Sequence, residues 1–293
     1  MADFELSSPK RLGRTVVLGY CDIAAAGIRV LEGMSAPSGE TPSIRETGRE
    51  SLDFSGAGAA IFDGVPALEA VHFDGGGGTS DNKSVTLLKL NTAVGRDLSA
   101  SLSLSIVDML DAHRSTLDRV IIVAAVQPPK RHQIPPAATA PSSTIATSAP
   151  QAKASLKAAA FPPDTVCAFS CDGYRGGENG DGDASPSPPL PASACNLPPL
   201  PPGARIADSF LTTLVRLCRL EGLPLLLLAR EGYRATGAAA DVDGTDEAIN
   251  GLGQCLEQVI GLTFDGQRAC GARRSKGWKG TSPSQGGVVP GYI

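Results

Sequence analysis

Arg119-Val120-Ile121-Ile122-Val123-Ala124-Ala125-Val126 is apolar at every position after its arginine. A strand with one face in water alternates apolar and polar side chains, whereas a strand covered on both faces does not. This run lies between a stretch of helical periodicity and Pro128-Pro129, so it reads as a central, doubly covered strand. Residues 15–18 (TVVL) and 225–228 (LLLL) have the same character.

Helical patterns stand beside these runs. After 15–18, Ile23, Ala26, Gly27, Val30 and Leu31 recur at helical spacing. Residues 85–90 form a further strand, and Asp97 is positioned to cap a helix carrying Leu98, Leu102, Ile106, Met109 and Leu110. Ile206, Phe210, Leu211, Leu214, Leu217 and Cys218 line another helix, capped by Gly222, and Pro224 opens the strand at 225. Ile249, Leu252, Leu256, Val259 and Ile260 line a last helix. Alternating strands and helices predict an α/β fold, a mainly parallel sheet covered by helices on both faces. Residues 35–58 read as a loop, and 59–62 and 67–73 as short strands around the run Gly75-Gly76-Gly77-Gly78.

Composition divides the chain. Residues 128–204 are dominated by Pro, Ala, Ser and Gly, which bury too little apolar surface to offset the entropy of ordering. The expected organisation is an N-terminal arm (1–14), one α/β domain (15–127 and 205–265), a mostly disordered insert (128–204) and a flexible basic tail (266–293). Within the insert, 164–170 (DTVCAFS) reads as a returning strand.

The totals exclude several classes. With a formal net charge of −4, binding driven by phosphate neutralisation is not expected, so nucleic acid is not an expected partner. The N-terminus lacks the apolar run of a signal peptide, and residues 223–229 are too short to cross a membrane. The seven cysteines are scattered without C-x-x-C spacing, as expected of reduced thiols in a cytoplasmic protein, with the nucleus as a second compartment.

The motifs of chemistry are incomplete. Asp241-Val242-Asp243-Gly244-Thr245 spells the D-x-D-G-T nucleophile loop of haloacid-dehalogenase-like phosphatases, but Gly237-Ala238-Ala239-Ala240 stands where a buried strand is needed. The alternative is a turn in which Asp243 or Thr245 caps the following helix. His72, His113 and His132 read as loop or helix-end residues rather than positioned bases. There is no G-x-S-x-G, and Gly56-Ala57-Gly58-Ala59-Ala60 lacks the third glycine of a dinucleotide loop. Neither a catalytic residue nor a metal or cofactor is expected. The chain ends Val288-Val289-Pro290-Gly291-Tyr292-Ile293; with 4 tyrosines in 293 residues, Tyr at that position is a chance of about 1 in 70.

Three blocks and this ending resemble proteasome assembly chaperone 1. Thr15-Val16-Val17-Leu18-Gly19 with Ala24-Ala25-Ala26 is similar to the family's opening strand and its small-residue turn into a helix. Residues 85–126 resemble its middle strand–helix–strand, and 208–228 its helix leading through Leu223-Pro224 into a strand. Gly291-Tyr292-Ile293 is similar to the hydrophobic-Tyr-X ending with which the family docks between proteasome α subunits, with Gly291 where that pattern has an apolar residue. The resemblance implies a nucleoside-phosphorylase-like scaffold without that activity, a heterodimer with proteasome assembly chaperone 2, and a chaperone role in 20S α-ring assembly. Two alternatives remain open: an α/β hydrolase or phosphorylase-like enzyme on the same scaffold, and a scaffold protein using its Pro-rich stretch 186–202 as a ligand for SH3 or WW-type modules.

Overall fold

A computed structural model describes residues 6–39, 44–52, 66–75, 83–92, 94–126, 165–171, 196–201, 205–206, 208–232, 242–275 and 291–292. The three doubly apolar runs are adjacent strands: β1 (Thr15–Tyr20), β6 (Arg119–Val126) and β9 (Leu225–Glu231). With β5 (Ser84–Leu90) they make a parallel centre in the order β5-β1-β6-β9. Antiparallel strands flank it: β4 (Leu68–Gly75) and β3 (Ile44–Leu52) beyond β5, and β7 (Cys167–Cys171) beyond β9.

Helices cover both faces, which is why the central strands tolerate no polar alternation. On one face lie α2 (Arg96–Asp111) and α3 (Ser209–Leu220), where Leu102, Ile106, Leu211 and Leu214 bury Leu18, Ile122 and Leu227. On the other lie α1 (Ala26–Gly33), α4 (Val242–Ile260) and α5 (Gly266–Ser275), where Val30, Leu252 and Leu256 bury Val17, Ile121 and Leu226. A two-residue ladder between β2 (Met34–Ser35) and β10 (Thr263–Phe264) ties the end of α1 to the chain leaving α4.

The expected mainly parallel, doubly covered sheet is present, and several local expectations are corrected. The stretch read as a loop contains β3, a nine-residue strand (IRETGRESL). Among the described residues it pairs only with β4, and between its buried ends Ile44 and Leu52 it is polar and largely exposed, so its apolar signal is weak. The N-cap of α2 is Gly95 without a side-chain cap bond, and Asp97 sits in the first turn, where its charge complements the helix dipole. The helix α4 starts at Val242, so Asp243 and Thr245 lie inside it rather than at its cap. The tail expected to be flexible from Gly266 begins instead as α5, packed against α1. Asp265 starts it by accepting from the Arg268 N–H at 3.0 Å. The returning strand expected at 164–170 is β7, and residues 196–201 run along its outer edge through Ala168–Pro198 and Leu200–Ala168 backbone hydrogen bonds. The remainder of the insert, the strand expected at 59–62 and residues 276–290 lie outside the described residues.

Candidate docking site

The carboxyl ends of the parallel strands are where open α/β sheets usually place their ligands. At β1 that edge is closed directly by α1. The chain leaves β1 through Cys21 and Asp22 into a short 3-10 turn, Ile23–Ala25, and then α1. A Cβ on Gly19 would stand 2.5 Å from the Gly27 carbonyl oxygen, and one on Gly27 would stand 2.6 Å from that of Val123. Helix backbone therefore touches strand backbone, and only glycine fits at either position. Asp22 fastens this approach: its carboxylate accepts from the Gly27 N–H at 3.0 Å and from the Ala125 N–H at 2.5 Å. Burial pushes the Asp22 carboxyl well above the usual range, and the two N–H donors act against that shift.

Tyr20, the last residue of β1, crosses to α3. Its hydroxyl donates to Asp208 Oδ2 at 2.9 Å, and its ring meets Phe210 edge to face at 5.0 Å. The other Asp208 oxygen accepts from the Leu211 N–H at 2.9 Å, so the same carboxylate caps α3 and holds it to β1. Burial first, then the Asp208 charge, raises the Tyr20 pKa well above its ordinary value, keeping the phenol protonated as a donor.

Immediately before this cap, Arg205–Ile206 forms the short strand β8. The chain's last described residues, Gly291–Tyr292, form β11 and pair with it antiparallel, Gly291 opposite Ile206 and Tyr292 opposite Arg205. Two of the three residues expected to form a docking tip are thus placed as backbone against the body; Ile293 lies outside the described residues. Sequence patterning holds no signal for β8, because two residues have no period and its partner is 85 positions away.

The other chemistry-bearing side chains are built into the fold. Asp241 lies outside the described residues, and β9 ends at Glu231, so no strand among the described residues leads directly into that motif. His72 is not a loop residue but a buried member of β4: its Nδ1 is 3.0 Å from Thr86 Oγ1, and its Nε2 lies 3.4 Å from Glu50 Oε1 without hydrogen-bond alignment. His113 follows α2, and His132 lies outside the described residues. Cys21, Cys167, Cys171, Cys218, Cys255 and Cys270 are free thiols. Burial raises Cys218 to about 12 and Cys255 to about 11, so these side chains act as small hydrophobes. No group of three His, Cys, Asp or Glu with metal-binding geometry occurs among the described residues. Among the described residues no helix is long and apolar enough to cross a membrane.

On the opposite face, Asp246, Asn250, Gln254 and Glu257 of α4 face Phe264, Asp265 and Gln267 across an open cleft of about 740 Å³. Sequence reasoning missed the residue that organises its wall. Arg29 is buried on α1 and donates to Asp246 at 2.7 Å and to the Ala269 and Cys270 carbonyls at 3.2 and 3.0 Å.

No family model matches the sequence, and no curated protein does. Solved structures match it in fold. A protein with unknown function from Thermoplasma acidophilum superposes with a TM-score of 0.50 at 9% identity, over 91% of this chain and 86% of that one. Pyrococcus furiosus PbaA, an archaeal homolog of proteasome-assembly chaperone, gives a TM-score of 0.47 at 14% identity over 94% of both chains. Pyrococcus furiosus PbaB, an archaeal proteasome activator, gives 0.44 at 11% identity over 92% and 93%. At these identities the likeness is one of fold.

Proposed function

We propose that this chain is a non-catalytic chaperone that binds proteasome α subunits during α-ring assembly. The observation that carries the reading joins sequence to fold. The three blocks that resemble proteasome assembly chaperone 1 are far apart in the chain, yet they fall on β1–α1, β5–α2–β6 and α3–β9. Those elements are the whole parallel centre and three of its covering helices, one contiguous body. Gly19 of the first block, together with Gly27 just beyond it, lets α1 lie directly on β1 and β6.

The activity on this reading is binding, by a heterodimer with proteasome assembly chaperone 2 in the cytoplasm and nucleus. The acids at the strand ends are consistent with it, since Asp22 holds backbone N–H groups and Asp208 holds Tyr20 and the α3 cap. Docking falls to Gly291, Tyr292 and Ile293. Burying one aromatic side chain is worth roughly 1.5–3 kcal/mol, whereas micromolar affinity needs about 8 kcal/mol. The tip alone is therefore a weak ligand, and it relies on the folded body and the partner chaperone to raise its effective concentration.

The test measures α-ring association of the heterodimer with intact chain, with residues 291–293 removed, and with the chain extended past Ile293. Both changes are expected to weaken association while the fold and the heterodimer persist. Equal association of all three forms removes the tip from the mechanism, and failure to associate with α subunits at all overturns the reading.

A further inference from the structure

We propose that the strand Arg205–Ile206 is an acceptor for the chain's own C-terminal tip, and that this pairing stores the tip on the body until a docking partner takes it. The inference rests on the docking role given to the tip above. Its direct basis is the antiparallel ladder of Gly291 on Ile206 and Tyr292 on Arg205.

The acceptor is held in place by the fold. Ile206 is 1% exposed and belongs to the core beneath α2 and α3. Two residues later, Asp208 caps α3 and takes the Tyr20 hydroxyl from the end of β1. The strand is thus anchored by a buried side chain and, just beyond it, by a doubly bonded carboxylate. A pre-ordered edge loses little conformational freedom when a peptide pairs with it.

The ladder is also short enough to be reversible. Two residues supply a small number of backbone bonds, and each net hydrogen bond shifts an equilibrium by only several-fold. Storage and release are mutually exclusive, because the same residues do not lie along β8 and fill a pocket on another subunit at once. Residues 276–290 connect the tip to α5, and a chain of that length reaches at most on the order of 50 Å, which leaves the released tip room to dock while tethered. Tip availability is therefore set by competition between β8 and the partner.

The experiment compares amide exchange by NMR in the full chain and in a form lacking residues 291–293, which leaves every core element intact. Adjacent residues in an antiparallel pair direct their N–H groups to opposite sides, so one of the Arg205 and Ile206 amides donates to the tip. That amide is expected to exchange roughly five- to tenfold faster in the shortened form, with its neighbour little changed. A synthetic peptide of residues 288–293 added in excess to that form is expected to slow it again. Unchanged exchange after truncation overturns the proposal. So does protection that appears only as protein concentration rises, together with dimers in sedimentation, since the tip then pairs between copies. The two readings separate cleanly. Loss of protection with unaltered α-ring association supports the acceptor and removes the docking role. Weakened association with unaltered protection removes the acceptor and keeps the docking role.

Discussion

Lys89 lies on a central strand and is 3% exposed, yet it carries a charge. Its ammonium bridges Glu32 on α1 at 3.2 Å and Glu69 on β4 at 3.3 Å, so one cation serves two largely buried carboxylates from two elements. Removing one member of such a group costs far more than the group contributes, because charge is left behind in a poorly solvated place. Lys89→Met is expected to lower stability by about 3–5 kcal/mol. Adding Glu32→Gln to that variant is expected to recover part of the loss, read from denaturant midpoints. His72 contributes to the pH dependence. Burial, first among its causes, sets its pKa below the ordinary 6.5; Glu50 and Asp74 act upward, and Arg11 acts downward with burial. As pH falls below about 6.5, the unfolded chain takes up a proton that the folded chain refuses, so acid in that window favours unfolding. Above that pH the contribution is fully present. His72→Gln, which cannot titrate, is expected to lose less stability between pH 7 and 5 than the parent chain.

At the scale of elements, the ends of helices decide more than their middles. The end of α3 is a complete Schellman turn: the Leu223 N–H reaches the Cys218 carbonyl at 2.9 Å and the Gly222 N–H reaches that of Arg219 at 3.2 Å. Gly222 has φ of +64°, a left-handed conformation that costs a β-carbon, so Gly222→Ala is expected to cost about 1 kcal/mol by thermal or chemical unfolding. This turn also aims Pro224 and the buried run of β9, so any loss is felt at a central strand. The helix α5 makes a sharper case. It supplies the Ala269 and Cys270 carbonyls that receive the buried Arg29 guanidinium. Ending the chain after Asp265 removes two bonds to a charged donor, an expected loss of about 3 kcal/mol. A solvated tail in that position predicts no change, so the unfolding midpoint of the shortened chain separates the two.

At the scale of the molecule, one seven-stranded sheet dominates the described residues, and the described parts of the insert, β7 and residues 196–201, lie beyond β9 at its edge. Deleting residues 132–160 is expected to leave the thermal midpoint nearly unchanged, because closure entropy varies by only about 0.6 kcal/mol per doubling of loop length. Carrying the deletion through Cys171 is expected to be costly. It strips β7 from β9 and opens an edge beside Leu225, Leu226 and Leu227, which β7 now covers by pairing. A marked loss from the smaller deletion would place that part of the insert among the packed elements.

By itself the sequence determined the parallel centre and its helices. Uninterrupted apolar runs such as Arg119–Val126 are stable only when covered on both faces, and the 3.6-residue periodicity between them supplies the cover. It also marked the Gly291-Tyr292-Ile293 ending by composition and resemblance. Tertiary structure decided the rest, where stability comes from partners distant in the chain. β3 is polar and is a strand only because β4 pairs with it. The helix α5 is weakly apolar and is fixed by its start at Asp265 and by Arg29, more than 200 residues away. The pairing of β11 with β8 joins two dipeptides with no pattern of their own, and only the folded body brings their backbones together.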